Sequence, residues 1–271
     1  MTPRVGTPAR EALDSALVAL RAAGLDSPRL DAELLLADAL GIDRTRLLID
    51  DPVVEGAAVR RLRDAVRRRS AERVPIAYLL GRKGFRHLEL AVDERVLIPR
   101  PETEHLVEAA LDALAPGAHV HDVGTGSGAV ALALKHERPD LQVSASDVSD
   151  DALAVARANA ARLGIDVALH RGDLLEGVAA EHVVANLPYV EAGAPLAPEL
   201  RHEPAAALFA GPDGLDVLRR FCAQLAGHPA RWVALEIGAG QAGAVRALLP
   251  GWQTDVVRDL AGIERVVVAC R

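Results

Sequence analysis

The sequence predicts an α/β fold: a doubly wound, seven-stranded sheet whose last strand runs antiparallel, preceded by a small N-terminal helical domain. Three observations predict it. From His119 onward, short Val-rich runs alternate with Ala/Leu-rich stretches at helical spacing, the βα alternation that lays helices on both faces of a mostly parallel sheet. Half of the residues are hydrophobic but only 3% are aromatic, so the core is built from Ala, Leu and Val, which suits Ala/Leu helices on Val strands. Before His119 the periodicity is different: residues 8 to 73 carry apolar positions at helical spacing only.

The first expected helix runs from Glu11 to Ala23 and stops at Gly24. A second has Ser27 as N-cap, Pro28 at its first position and Gly41 beyond its end. Asp43 caps a short third helix, and Gly56 to Arg73 supply a fourth. Val74-Pro75 then breaks the helix, Gly81 and Gly84 punctuate the next segment, and Leu88, Leu90 and Val92 alternate as in a strand. This gives a helical domain over 1–74, a β-hairpin connector over 75–98 and a catalytic domain over 99–271.

In the catalytic domain the expected elements are strand Val120–Val123, helix Ala129–His136, strand Val143–Asp147, helix Asp151–Leu163, strand Val167–His170 and strand Val183–Asn186. After an irregular stretch come a helix near Leu215–Leu225, strand Trp232–Ile237, helix Ala242–Leu249, and strands near Thr254–Val257 and Arg265–Ala269. The turn around Ala261-Gly262 is too short for a parallel crossover, so the last two strands form an antiparallel hairpin.

Charge and composition exclude several function classes. Residues 1–100 carry 18 Lys and Arg against 15 Asp and Glu, and residues 101–271 carry 13 against 23. The acidic catalytic part repels a phosphate backbone, so no stable nucleic-acid binding is expected. The basic run Arg60, Arg61, Arg63, Arg67, Arg68, Arg69 and Arg73 shares its stretch with Val59, Leu62, Ala65 and Val66 and is read as the solvated face of an amphipathic helix, with docking to a protein or RNA partner as the alternative. Met1 to Arg10 holds no apolar leader and no run reaches membrane-spanning length. Cys222 and Cys270 form neither a disulfide framework nor a metal spacing, so a cytoplasmic setting is expected. His119 and His121 share a strand face but lack a third ligand, and no metal is expected.

Two segments carry chemistry. Asp122-Val-Gly124-Thr125-Gly126-Ser127-Gly128 follows a strand and opens a helix; glycines let the chain turn sharply beside a ligand, and free N–H groups at a helix start attract an anion. Asp147 ends the next strand, 19 residues after Gly128, placed to accept hydrogen bonds from both ribose hydroxyls of a nucleoside. A second glycine run, Gly238-Ala-Gly240-Gln-Ala-Gly243, matches a dinucleotide fingerprint but lacks an acidic strand end downstream, and is read as a structural turn.

The other segment is Asn186-Leu187-Pro188-Tyr189, at the end of the fourth strand. An amide or exocyclic amine is a poor nucleophile because its lone pair is delocalised. The Asn186 side-chain oxygen and the Leu187 carbonyl can accept its two N–H bonds, Pro188 fixes the turn and Tyr189 stacks on the planar group. Such a clamp aims the lone pair at a methyl sulfonium, so catalysis rests on positioning and electrostatics.

With Leu97-Ile-Pro-Arg100-Pro101-Glu102-Thr103-Glu104 and Pro75-Ile-Ala-Tyr-Leu-Leu-Gly81, these motifs resemble the bacterial release factor glutamine methyltransferases over nearly the whole chain. The resemblance implies a Rossmann-like methyltransferase sheet, S-adenosylmethionine as methyl donor with S-adenosylhomocysteine as product, and a protein substrate. That substrate is the glutamine of the Gly-Gly-Gln loop of class 1 peptide chain release factors, methylated on its amide nitrogen, with the helical domain as docking surface. It assigns cofactor binding to Gly124, Thr125, Gly126, Ser127, Gly128, Asp147, Asp173, Leu174 and Asn186. Asn186, Pro188 and Tyr189 become catalytic, and Asn186 to Tyr189 substrate-binding. Ribosomal protein glutamine methyltransferases share the pattern only up to Pro99-Arg100, and rRNA adenine dimethyltransferases share the tetrapeptide variant, so both are alternative readings. Three departures stand out: Leu187 replaces the usual Pro, Phe85-Arg86-His87-Leu88 replaces Phe-aromatic-Gly-Leu, and Leu174 stands where some members place an aromatic beside the adenine. Arg201-His-Glu203-Pro204 is expected to shape the substrate mouth, and Glu102 to Glu104 to cap the next helix or brace the cofactor loop.

Overall fold

The computed structural model describes residues 6–271; residues 1 to 5 of the polar start lie outside the described residues. Two compact units emerge. One takes in the chain up to Gly81 together with Leu196–His202, the other Arg82–Pro195 with Glu203–Arg271.

The helical unit contains α1 (Ala9–Ala22), α2 (Pro28–Leu40), α3 (Arg44–Asp50), α4 (Gly56–Ser70) and α5 (Ile76–Leu80), with β1 (Thr7–Pro8) paired to β2 (Val53–Val54). Pro28 opens α2, Gly41 ends it in the left-handed conformation, and the Asp43 carboxylate caps α3 by accepting the Arg46 N–H at 2.8 Å. Leu20, Leu36 and Leu62 are fully buried between the helices. The unit runs on to Gly81 rather than ending near residue 74, because Pro75 starts a further helical turn instead of a strand.

The basic run on α4 is solvated at Arg60, Arg61, Arg63, Arg67 and Arg68 but not at its end. Arg69 donates to the buried Asp31 at 2.7 Å and to Glu199 at 3.1 Å, and Arg73 pairs with the same Glu199 at 2.7 Å. His202 also reaches the Glu72 carbonyl at 2.8 Å, so the segment Leu196–His202 packs as part of the helical unit. The pairing lies 130 residues apart in sequence, beyond any local pattern.

The catalytic unit begins with the hairpin β3 (Arg82–Phe85) and β4 (Leu88–Ala91), then α6 (Glu104–Ala113), β5 (His119–Val123), α7 (Ala129–Glu137), β6 (Gln142–Asp147), α8 (Asp150–Leu163), β7 (Ala168–Arg171) and β8 (His182–Ala185). It closes with α9 (Asp216–Leu225), β9 (Trp232–Glu236), α10 (Ala242–Ala247), β10 (Gln253–Arg258) and β11 (Glu264–Cys270). The seven-stranded sheet has the order β10-β11-β9-β8-β5-β6-β7. β5 to β9 pair in parallel, and β11 runs antiparallel to both β9 and β10, as the short turn at Ala261-Gly262 requires.

Alternate residues along the strands enter two different cores. Val120, Val184, Ala234 and Val266 pack with Leu106, Leu132 and Leu134 on one face, while Val123, Val183, Leu235 and Val267 pack with Leu218, Phe221 and Val245 on the other. Burial on both sides explains why these strands read as continuous Val runs. The chain leaves β5 toward β6 and β7 and returns to β8 on the other side of β5, which opens a crevice at the carboxyl ends of β5 and β8.

Candidate active site

Four strand ends meet this crevice: Gly124 after β5, Asp147 at the end of β6, Asn186 after β8 and Glu236 at the end of β9. A cavity of about 290 Å³ lies there, lined by Gly124, Gly126, Asp147, Leu174, Asn186 and Pro188 among others. One cavity therefore joins the glycine loop, the acidic strand end and the tetrapeptide, three motifs spread over more than sixty positions of sequence.

The glycine loop works differently from the expectation of free backbone donors. The N–H groups of Gly124 and Thr125 both donate to the Ser146 carbonyl, at 2.9 and 3.0 Å, Gly126 N–H donates to Asp147 Oδ2 at 2.9 Å, and Gly128 N–H to the Thr125 carbonyl at 2.8 Å. The loop is thus folded onto the end of β6. Of its five assigned residues only Gly124 and Gly126 line the cavity. Thr125 turns inward and donates its hydroxyl to Asp122 at 2.6 Å, and Ser127 is buried with its carbonyl held by Asn159 at 3.0 Å. Gly128 has φ +85°, and a Cβ there would meet Leu132 Cδ1 at 3.0 Å, so a side chain is excluded by conformation as well as by space.

Asp122 sits wholly inside this loop and accepts from both Thr125 and the Ala131 N–H on the same oxygen. Burial pushes its pKa up to about 7, against the two hydrogen bonds and with a contribution from the Asp147 charge. Asp147 is only half-buried. Its Oδ2 accepts from Gly126 and its Oδ1 from Ser149 N–H, each at 2.9 Å, so each oxygen keeps a lone pair for a further donor. Asp173 lines the cavity with its carboxylate taken by Arg220. Leu174 is buried beside it at φ +57°, presenting an apolar wall.

At the tetrapeptide, Asn186 and Pro188 line the cavity, and the Leu187 side chain is 4% exposed, packed so close to the loop that a Cβ on Gly124 would lie 3.3 Å from it. Leu187 therefore packs the glycine loop with its side chain. Tyr189 does not line the cavity. Its hydroxyl donates to Glu236 Oε1 at 3.4 Å, and burial followed by the Glu236 charge raises its pKa to about 12.

Residues outside the expected set hold the tetrapeptide. The Asn186 side-chain NH₂ donates to Thr103 Oγ1 at 3.1 Å. The Tyr189 carbonyl accepts from Gln241 Nε2 at 3.1 Å and is approached so closely by Gly214, φ +72°, that a Cβ there would stand 2.3 Å away. Gln241 belongs to the second glycine run, whose Gly238 N–H donates to Gln241 Oε1 at 2.9 Å; the run is a turn, and it braces the tetrapeptide. Glu236 is 1% exposed and burial pushes its pKa up to about 7. A signal for it exists in the sequence, a lone acid at the end of an otherwise apolar strand, which only burial makes notable.

The Arg100-to-Glu104 stretch proves to be a hub. Arg100 pairs with the buried Glu203, which also accepts the Ile98 N–H at 3.0 Å. Glu102 lies 3.7 Å from Arg265, Thr103 holds Asn186, and Glu104 accepts the Arg86 N–H at 3.3 Å. Thr103 precedes α6 without a side-chain cap bond, so the capping role is replaced by these tertiary ties. Glu203 anchors the cavity rim by holding Arg100. Arg86 takes the left-handed conformation in the hairpin turn, φ +48°, and its guanidinium is locked to Glu137 and Glu108, so an ion-pair anchor stands at this turn. Asn159, fully buried on α8, accepts the Ala91 N–H at 2.7 Å and donates to the Ala91 and Ser127 carbonyls at 3.0 Å, tying the hairpin to the glycine loop. The two strand histidines are structural: both His121 nitrogens face serine hydroxyls, Ser144 at 2.8 Å and Ser146 at 2.9 Å, and burial lowers its pKa to about 3.

Residues 11–81 match the PrmC N-terminal domain family and residues 102–211 the methyltransferase small domain family. The chain is 42% identical over 273 residues to the release factor glutamine methyltransferase of Deinococcus radiodurans, covering 97% of this chain and 98% of that one. It is 44% identical over 232 residues to the enzyme of the same name from Mycolicibacterium smegmatis, covering 83% and 80%. Among solved structures, a methyltransferase from Pyrococcus furiosus superposes with TM-score 0.53 at 16% identity, over 69% of this chain and 91% of that one. The ribosomal protein L11 methylase from Lactobacillus delbrueckii subsp. bulgaricus gives TM-score 0.50 at 23% identity, over 69% and 96%. At those identities the likeness is one of fold.

Proposed function

The chain belongs to the release factor glutamine methyltransferase family, and from that premise we propose that it methylates the side-chain amide nitrogen of the glutamine in the Gly-Gly-Gln loop of class 1 release factors. The observation that carries the reading is the single cavity lined both by Asp147 with the glycine loop and by Asn186 with Pro188. S-adenosylmethionine supplies an electrophilic methyl group on a sulfonium when bound. The residues present fit such a cofactor: Asp147 keeps an acceptor lone pair on each oxygen after its two backbone bonds, and Leu174, Val148 and Leu187 give apolar walls for a planar base.

On the substrate side, an amide nitrogen becomes reactive only when its N–H bonds are held and its lone pair is aimed. The Asn186 NH₂ group is committed to Thr103, which leaves Oδ1 as the acceptor for one substrate N–H, with the Leu187 carbonyl for the other. As the new N–C bond forms and the methyl–sulfur bond breaks, one of the two held N–H protons is released past its acceptor oxygen to solvent, which leaves a neutral amide and a neutral thioether. The chain does its work by orientation and by exclusion of water from the apolar wall.

The helical unit serves as the docking surface for the protein substrate in this reading. Val18, Leu30, Leu48, Ile49 and Val53, five of the eight exposed large hydrophobics among the described residues, belong to it, a concentration that suits a protein partner. Among the described residues no helix is long and apolar enough to cross a membrane, and Cys222 and Cys270 are free thiols, which fits a cytoplasmic enzyme. Incubation with methyl-labelled S-adenosylmethionine and either purified release factor or total RNA tests the function. Label on the Gly-Gly-Gln glutamine is expected; label on RNA adenine with none on the protein refutes it.

A further inference from the structure

The second glycine run, Gly238-Ala-Gly240-Gln241-Ala-Gly243, has the letters of a nucleotide loop, yet its hydrogen bonds point inward. The Gly238 N–H, the kind of donor a phosphate would need, is taken by Gln241 Oε1 at 2.9 Å. A backbone N–H can only donate, so the end of the carboxamide that faces it is the oxygen. That bond fixes the orientation of the whole side chain and leaves its NH₂ group facing the Tyr189 carbonyl, to which it donates at 3.1 Å. Gln241 thereby bridges the exits of two neighbouring parallel strands, β8 at Tyr189 and β9 at Gly238.

Space is set there as tightly as hydrogen bonding. A Cβ on Gly214 would stand 2.3 Å from the Tyr189 carbonyl oxygen and 3.1 Å from Gln241 Nε2. One on Gly238 would stand 3.2 Å from Tyr189 Cδ2 and 2.9 Å from Gln241 Oε1. Two glycines thus close on one tyrosine, the first against its carbonyl and the second against the edge of its ring. Beyond it the chain is pinned again, because Val190 N–H donates to the Leu208 carbonyl at 2.8 Å and the Val190 carbonyl accepts from Ala210 at 2.9 Å.

In the amide-methylating reading, one acceptor for the substrate is the Leu187 carbonyl, a backbone atom whose direction depends on how the turn is held. Pro188 has no N–H to hold it, and the next residue supplies the grip. We propose that Gln241 is a positioning residue for glutamine methylation: in a socket closed by Gly214 and Gly238 it fixes the backbone and ring of Tyr189, and through them the direction of the Leu187 carbonyl. Gln241, Gly214 and Gly238 stand outside the lining of the cavity that Asp147 shares with the glycine loop. Their loss therefore disturbs the substrate side and spares the cofactor. The inference rests on the amide-methylating reading, and the wild-type reaction, measured in the same experiment, separates the failure of one from the failure of the other.

The test uses the full-length enzyme with release factor as substrate, read as single-turnover rate, release-factor KM, S-adenosylmethionine affinity and thermal unfolding. Gln241→Met keeps the length of the side chain and removes both hydrogen bonds. It lowers the rate about ten- to a hundredfold, since a misplacement of about 1 Å costs up to about a hundredfold, with KM and cofactor affinity near wild type. Gln241→Glu is the discriminating variant: its carboxylate still accepts the Gly238 N–H but has nothing to donate to the Tyr189 carbonyl. If Gln241 served only its own turn, this variant would keep the wild-type rate; acting through Tyr189, it is as slow as Gln241→Met. Gly238→Ala adds one methyl group against the Tyr189 ring at a position whose φ lies outside the left-handed region, and it slows the reaction with cofactor affinity intact. It carries the test if the Gln241 variants unfold. A wild-type rate in any folded variant, or a cofactor affinity that falls in step with the rate, overturns the proposal. A wild-type enzyme that leaves the release factor unmethylated overturns the underlying reading instead.

Discussion

Replacing Asp147 with Ala separates two jobs that one side chain performs. In the structure its oxygens accept the Gly126 and Ser149 N–H groups, each at 2.9 Å, and in the proposed complex the same oxygens accept the ribose hydroxyls. Hydrogen bonds to a charged group contribute ~1.5–3 kcal/mol each. Without ligand, the variant loses two such bonds, but both N–H groups lie at a half-buried surface where water substitutes, so we expect a net loss of ~1–2 kcal/mol and a melting temperature lower by roughly 2–8 °C. With ligand, the ribose bonds are lost as well, and affinity for S-adenosylmethionine falls at least about tenfold. Asp147→Asn keeps one acceptor but turns an NH₂ toward one of the two backbone donors, so it falls between. Titration calorimetry and thermal unfolding of the ligand-free protein read the two jobs independently. An unchanged Kd in Asp147→Ala would falsify the ribose assignment, and an unchanged ligand-free melting temperature would remove the bracing role while leaving the ribose contact standing.

Asn186→Ala should slow single-turnover methyl transfer to release factor roughly a hundred- to a thousandfold, the cost of one lost transition-state partner, with cofactor affinity retained; a wild-type rate by mass spectrometry at the glutamine ends the clamp mechanism. Asp122→Asn tests the buried carboxyl. Its folded pKa is raised to about 7 from 3.8, so below about pH 4 the acid is protonated in both states and costs nothing. As pH rises through the folded pKa, stability is lost relative to the unfolded chain. Asn keeps an acceptor for Thr125 and Ala131, so the variant should melt higher than wild type at pH 8 and alike at acid pH; identical melting curves at both refute it. Leu187→Pro restores the family's usual tetrapeptide and its carbonyl but trims a side chain only 4% exposed against the glycine loop, so kcat should hold while stability drops by ~1–2 kcal/mol, and a lost kcat shows that the Leu187 backbone matters beyond its carbonyl. Leu48→Ser with Ile49→Ser removes two exposed apolar groups of the helical unit and should raise the release-factor KM with unchanged cofactor affinity; an unchanged KM places docking elsewhere.

The sequence by itself determined the fold class, nearly every strand and helix of the catalytic part, the antiparallel closing pair and which motifs follow the strand ends at the crevice. Those features are local: Val runs buried on both faces, glycines that a tight turn demands, and residues that follow a strand end. Asp147 and Asn186 were legible for the same reason, since each ends or follows a strand and a strand's carboxyl end faces the crevice.

Only the tertiary structure decided what holds those residues. Thr103 reaches Asn186 across 83 positions, Gln241 reaches the Tyr189 carbonyl across 52, and Asn159 ties Ala91 to the glycine loop across 68. It also decided that the loop's N–H groups are spent on Ser146 and Asp147 rather than left open, and that Arg69 at the end of α4 and Arg73 beyond it hold Glu199. A polar side chain reveals such a role only through burial, because a hydrogen bond that water would satisfy on an open chain must be met by a specific partner once the surroundings are dry. Periodicity records which face of an element is buried; it does not record which distant atom waits there.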